Sequence, residues 1–395
     1  MTRMRMHRQR AINLTRSVGQ VARPFLAQKL GISLPTVTNL VRGLMDDGIL
    51  IEDGFGESQG GRRAALLKLN PQFACAVGVE VSLSGVKTIL MDLGGNILAR
   101  SESRGPVADA RTTMDYLLTA LEPLVKQAPR GNLKGIGVGV AGLIDREKGI
   151  SVKFPHSDEW SNVPIGNLLR TRFKVDTVVD NDVQASTLAE FRYGAARGTE
   201  TFLYLHLGQG IRLGMLVDGK IFHGVHGRAG ELGHIVVDEE GPICYCGNYG
   251  CLECFASPIA IVNQAREALT KGGESTIASH TGGSMEEIRI ESVLSAAAGG
   301  DRLALNLLER AAGYIGRVMA NIANVFDPSM FVLAGRMVAQ EGPLMEIVER
   351  VFRRMQMPAA GHSVEIRKSA FPESPCARGA ATLVFDRMFE KMSVG

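Results

Sequence analysis

The sequence predicts an α/β protein carrying a small helical head, and three observations predict it. From about residue 73 onward, apolar runs of strand length alternate with amphipathic helical runs, and the turns between them are rich in glycine. Near the N-terminus two short helical repeats meet at Gly31. Charge is unevenly divided: residues 1–70 carry 11 Lys and Arg against 5 Asp and Glu, while the remainder carries 33 against 36. At 395 residues the chain is too long for one typical core, so two or three structural units are expected. No run of about eighteen uninterrupted apolar residues is present, which argues against a membrane-spanning helix. The basic N-terminus lacks the apolar run and cleavage site of a secretory signal, so the chain is expected to be cytoplasmic.

The head spans residues 1–72. In "RPFLAQKLGISLPTVTNLVRGLMDDG", Leu26 and Leu30 lie four apart, and Val37, Leu40, Val41 and Leu44 repeat at helical spacing. Gly31 permits the positive φ of a tight turn, Ser33 is a good N-cap, and Pro35 falls in the first turn of the second helix. This is a helix-turn-helix. With the apolar stripe turned inward, Pro35, Thr36, Thr38, Asn39 and Arg42 are the candidates for contact with a DNA groove. Two β-type runs then flank a glycine-rich tip bearing Arg62 and Arg63, the pattern of a wing. A basic head without interleaved aromatics favours double-stranded DNA over RNA as partner.

The joint is expected at Asn70-Pro71, and residues 73–395 form the body. Strands are expected in "ACAVGVEVSLSGVKTILMDLGGNILAR", a helix over 112–126, and a strand with a glycine-rich turn in "LKGIGVGVAGLID". "TVVDNDVQASTLAEFRYG" reads as strand, acidic turn and helix, and "TFLYLHLGQGIRLGMLVDGKIF" as two strands around a turn. A long helix covers "LALNLLERAAGYIGRVMANIANVF", and "SMFVLAGRMV" is a further strand and glycine turn. Residues 271–283 read as a mobile surface loop.

The run "GHIVVDEEGPICYCGNYGCLE" brings together His234, Cys244, Cys246 and Cys251. One nitrogen and three sulfurs suit tetrahedral zinc in a closed, structural site. Cys254 could replace His234 in that set. Six cysteines in a chain of this length are too few for a disulfide scaffold.

"GELGHIVVDEEGPICYCGNYGCLE", with "DND" and "GVAGLID" upstream and "VLAGR" downstream, resembles the ROK family of bacterial sugar kinases and sugar-responsive repressors. The winged head makes the chain similar to the repressor branch, that of the xylose- and N-acetylglucosamine-type regulators. The resemblance implies an actin-like, ribonuclease-H-like fold, with two α/β lobes closing on a cleft. It implies zinc on His234, Cys244, Cys246 and Cys251, in a loop over about 231–254, and favours His234 over Cys254. It also implies sugar contacts by Asn181, Asp182, Glu231, His234 and Glu253, the metal holding the imidazole toward sugar hydroxyls.

In the kinase branch Asp182 would be the general base. The resemblance also marks three departures on the nucleotide side. Glu80 and Leu83-Ser84-Gly85 replace an aspartate and a glycine pair with threonine; Gln209 and Arg212 replace small residues of a phosphate loop; Ala334 and Arg336 replace glycines. A phosphate cradle needs glycine, because a Cβ blocks close approach. The expected protein is therefore not an enzyme. It is a sugar-responsive regulator of carbohydrate genes, a homodimer or tetramer on palindromic operator DNA, with a sugar or sugar phosphate as effector and a protein effector as a further partner. Arg212 is the residue suited to a phosphate on the sugar. An active sugar kinase that kept a DNA-binding head is the alternative.

Overall fold

The structure, a computed structural model, describes residues 3–56, 63–105, 109–155, 157, 159–339, 342–357, 363–371 and 375–394. Its contacts divide the chain into two compact units, Met1–Gly198 with Pro375–Gly395, and Thr199–Ser374.

The head opens the first unit: α1 (Arg3–Val18), β1 (Val21–Ala22), α2 (Arg23–Leu30), α3 (Leu34–Asp46), β2 (Leu50–Phe55) and β3 (Ala65–Leu69). Gly31 closes α2 in the left-handed region at φ 65°, and the Ser33 side chain accepts from the Thr36 amide at the start of α3. Leu26, Leu30, Val37, Leu40, Val41 and Leu44 are all buried, as their spacing requires. Strands β1-β3-β2 form the small wing sheet. Asn70 ties the joint back to the head, donating from Nδ2 to the Gly48 carbonyl at 2.9 Å.

The body of this unit continues with β4 (Cys75–Ser82), β5 (Gly85–Asp92), β6 (Ile97–Arg104), α4 (Ala110–Gln127) and β7 (Leu133–Val140). A small sheet of β8 (Leu143–Asp145), β9 (Ile150–Lys153) and β10 (Ser161–Val163) precedes α5 (Ile165–Phe173), β11 (Thr177–Asn181) and α6 (Asp182–Tyr193). The main sheet has the order β11-β7-β4-β5-β6. Strands β11, β7 and β4 are parallel; β5 is antiparallel to β4, and β6 is antiparallel to β5.

The second unit contains β12 (Phe202–Leu207), β13 (Ile211–Val217), β14 (Lys220–Ile221), α7 (Leu252–Ala256), α8 (Pro258–Thr270), α9 (Ile290–Ala298), α10 (Arg302–Phe326), β15 (Met330–Ala334), α11 (Arg336–Ala339), α12 (Pro343–Met355) and β16 (Glu365–Lys368). Its sheet order, β14-β13-β12-β15-β16, repeats that of the first unit: a meander of three strands, then two parallel strands added beside the first. Two copies of this strand order are the signature of the actin-like, ribonuclease-H-like fold. The stretch after α8 is not a free loop. Asp301 accepts from the Thr276 amide at 2.6 Å and from Ser275 Oγ at 2.9 Å, and Ile277 is fully buried, so residues 275–277 are pinned to the start of α10.

The chain then returns to the first unit as α13 (Cys376–Val394). This helix crosses β4, β7 and α6 at backbone contact. A Cβ on Gly78, Gly137 or Gly379 would overlap the carbonyl oxygen of Ala377, Ala380 or Ala185 respectively. One continuous apolar core joins Ala11, Ile12 and Leu26 of the head to Ala76, Ile89 and Met91 of the sheet and Phe385 and Phe389 of α13. Among the described residues no helix is long and apolar enough to cross a membrane.

Because the neighbour at Gly379 is backbone and cannot yield, Gly379→Ala is expected to destabilise the protein by about 3 kcal/mol. Gly313→Ala in α10, where an added Cβ meets nothing within 4 Å, is expected to stabilise it by roughly 0.5 to 1 kcal/mol. Urea unfolding of the two variants against the parent checks both signs.

Candidate functional site

In the second unit a short 3-10 turn, Leu232–His234, presents His234, and a loop closed by isolated bridges Val236–Cys251 and Ile243–Tyr249 presents the cysteines. Backbone bonds fix the knuckle: the Cys244 amide donates to the Asn248 carbonyl at 2.7 Å, and the Gly247 amide to the Cys244 carbonyl at 2.9 Å. The ligand atoms of His234, Cys244, Cys246 and Cys251 all lie within 4.8 Å of one another, and Cys254 is not part of that group. Cys246 Sγ stands 3.6 Å from Cys251 Sγ, and Cys244 Sγ 3.6 Å from His234 Nδ1. Donors bonded to one tetrahedral transition metal at usual lengths are about 3.5 to 3.8 Å apart, so these residues fit a shared ion.

Burial, and then the neighbouring Cys246 and Cys244, push the Cys251 thiol up to about 12. Burial acts the same way on Cys246, but the Asn248 amide and the adjacent thiols outweigh it and lower that group. Cys246 thus ionises more readily than Cys251, and an arriving metal ion must displace the proton of Cys251. With Nδ1 turned to the sulfurs, His234 Nε2 lies 3.0 Å from the Tyr245 hydroxyl, and a metal ion on Nδ1 would leave the ring proton on Nε2, facing that hydroxyl.

Cys251 is also the N-cap position of α7, which sets Glu253 in the first turn. There its Oε2 accepts from the Ile211 amide at 3.0 Å, and Gly210 and Gly233 pack close to the same carboxylate. Glu231 lies beside Arg212, Oε1 to Nη1 3.8 Å. At the 208–212 turn the His206 ring fills the space a Cβ on Gly208 would need. Arg336, further along, pairs with Glu291 at 2.8 Å.

In the first unit Asn181 caps α6. Its Oδ1 accepts from the Val183 amide at 2.9 Å and its Nδ2 donates to the Gly142 carbonyl at 2.9 Å. Asp182 follows in the first turn, and its buried Oδ1 finds no hydrogen-bond partner among the described residues. A buried acceptor of that kind can take a donor from a water or a ligand. Burial foremost, then Glu80, Asp182 and Asp180, push the Cys376 thiol well up, so three carboxylates gather at this end of the sheet. Ser82 and Ser84 hydroxyls bond each other at 3.0 Å across the β4–β5 turn.

In the head, Pro35, Asn39, Arg42 and Arg63 are exposed. Thr36 and Thr38 are half-buried, with hydroxyls already bonded to Ser33 Oγ at 2.8 Å and the Leu34 carbonyl at 2.9 Å. Asn39 and Arg42 therefore have the freest polar reach. Arg62 lies outside the described residues.

Residues 76–387 match the ROK family. The chain belongs to the ROK family. It is 28% identical over 371 residues to the xylose repressor of Caldicellulosiruptor bescii, covering 93% of this chain and 92% of that one. Among solved structures, a ROK family transcriptional regulator, a homologue of the E. coli MLC protein, superposes with a TM-score of 0.82 at 26% identity, over 99% of this chain and 98% of that one. A ROK family glucokinase from Streptomyces griseus, solved with glucose and AMPPNP, gives 0.70 at 26% identity, covering 79% of this chain and all (100%) of the kinase.

For this ROK chain the residue that sequence reasoning missed is Tyr245. Its position between two ligand cysteines was the available signal; the hydroxyl's bond to His234 needed the folded loop. Tyr245→Phe is expected to weaken transition-metal binding by about tenfold, since the partner that orients the imidazole is lost. Cys251→Ser is expected to abolish tight binding. Competition against a chromophoric chelator measures both.

Proposed function

We propose that this ROK protein is a sugar-responsive DNA-binding transcriptional repressor of carbohydrate genes, and that its metal is zinc. Similarity along nearly the whole chain, head included, to the MLC-homologue regulator carries this reading. Zinc is favoured by one imidazole and three thiolate donors with tetrahedral spacing, a set that leaves no open position and marks a structural ion. Asn181 and Asp182 in the first unit, and Glu231, His234 and Glu253 in the second, are the proposed sugar contacts. Carboxylates and an amide suit hydroxyls that both donate and accept. Pro35, Thr36, Thr38, Asn39 and Arg42 of α3, with Arg62 and Arg63 of the wing, are the proposed DNA contacts. A second copy of the chain completes a palindromic site, because paired helix-turn-helix modules read paired half-sites.

Phosphoryl transfer is not part of this function. Gln209 and Arg212 stand where the resemblance places small residues of a phosphate cradle, and the Ser82 and Ser84 hydroxyls bond each other at 3.0 Å. The unpartnered Asp182 Oδ1 favours a second reading, an active sugar kinase with a DNA-binding head. Sugar-dependent ATP turnover by the purified protein that vanishes in Asp182→Asn would establish that second reading; no turnover is expected.

The test of the first reading starts with duplexes selected from a random library by the full-length protein. Arg42→Ala is expected to weaken binding to the selected duplex about tenfold, and Asn39→Ala to relax base preference at one position. Unchanged affinity and footprint in both would remove α3 from the interface. Free pentoses, hexoses, N-acetylhexosamines and their phosphate esters are then screened by thermal shift, which a true ligand raises by mass action. The responding sugar is expected to change duplex affinity by roughly 5- to 150-fold. A panel in which no sugar moves duplex affinity would defeat the sugar-responsive assignment.

A further inference from the structure

The first unit contains a buried ionic seam that the sugar and DNA readings leave unused. Arg16, near the end of α1, pairs with Asp386 of α13, and Arg192, near the end of α6, reaches the same carboxylate at 3.5 Å. The Arg16 and Arg192 side chains are only 5% and 11% exposed. Arg16 Nη2 and Arg192 Nε are buried and find no hydrogen-bond partner among the described residues. Arg16 also lies 5.3 Å from the centre of the Phe389 ring. Two buried cations thus share one anion, and among the described residues Asp386 is the one carboxylate paired with them. Just beyond, Arg197 donates from Nη2 to the Val18 carbonyl at 2.9 Å and from Nε to the Ser17 carbonyl at 3.3 Å, gripping the C-terminus of α1.

The same helix that ends at this seam begins at Asn181 and Asp182. Val183 through Phe191 of α6 are all buried, so α6 has no free face on which to bend. It touches α13 at backbone contact, Gly379 against Ala185. With 12 residues it spans about 18 Å.

We propose that α6 and α13 act as one rigid relay, by which occupancy at Asn181 and Asp182 sets how α1 holds the head, with Asp386 as the positioning residue at the far end. The relay rests on the ligand-contact reading of Asn181 and Asp182; its mechanical part does not, and is tested without sugar. In the free full-length protein, Asp386→Asn removes the carboxylate that both arginines share. Amides of α1 are expected to exchange about tenfold faster, and those of Val183–Ser186, at the other end of α6, to change with them. Amides of the metal loop in the second unit are expected to stay as they were. Arg197→Ala, at an exposed side chain, is expected to give the same pattern at smaller size and guards against a misfolded Asp386 variant. Loosening of α1 that leaves Val183–Ser186 unmoved in both variants overturns the relay.

Linkage is reciprocal, so a bound selected duplex must also be felt at Val183–Ser186 in the parent and not in Asp386→Asn. Duplex binding without that change in the parent overturns the relay. A parent that binds no duplex defeats the repressor reading instead, and the free-protein comparison then decides the relay. If both arms succeed while no sugar shifts stability, the ligand assignment of Asn181 and Asp182 fails and the relay stands.

Discussion

The structure depends first on the passage of the last helix through gaps that only glycine leaves. Gly78 and Gly137 on the strands and Gly379 on α13 let backbone rest on backbone, with no side chain between to be repacked. Contacts of that kind gain from many close atom pairs and tolerate no added atom. They bring the end of the chain back to its beginning: Phe385 and Phe389 of α13 complete the core that Ala11 and Ile12 of α1 start. A head read from sequence as a separate module is packed into the first unit through that shared core.

The metal loop solves a different problem. Between His234 and Cys251 there is little regular structure, and Ile243, Tyr245 and Tyr249 are 66%, 61% and 59% exposed, so apolar burial is a weak source of order there. Four convergent donors can supply the order instead, because metal binding free energy is also folding free energy for such a segment. The consequence travels outward by short covalent steps. Cys251 begins α7, α7 fixes Glu253, and Glu253 holds the Ile211 amide and with it the 208–212 turn.

Legibility in the sequence followed the range of the forces involved. The second and third helices were read closely because their signals are local: a left-handed Gly31, the Ser33 cap, and an apolar stripe at helical spacing. The four candidate metal donors were legible for the same reason, lying within eighteen residues of one another, from His234 to Cys251. The first helix was not read as a helix. It is polar over most of its length, and the partner that orders Arg16 lies 370 residues away. The last helix was hidden by its own small residues, which signify nothing until a strand lies against them. Residues 271–283 read as a loose loop because the anchor, Asp301, comes from outside the segment. The repeated strand order of the two units left no trace as a sequence repeat, since register and direction, rather than residue identity, are what the copies share.

A sensor and a kinase built on this frame make opposite demands on the same glycine turns. Transfer requires an open cradle of amides around phosphate, and every side chain in that space subtracts from it. Sensing requires only that a ligand bind two arrangements of the protein unequally, and side chains in the cradle cost it nothing. The His206 ring beside Gly208, and Arg212 beside Glu231, are arrangements that a sensor can tolerate. Asp182 is under no such conflict. A carboxylate at the N-terminus of a buried helix can accept from a sugar hydroxyl whether or not a proton is later to be removed, so its presence is compatible with either chemistry.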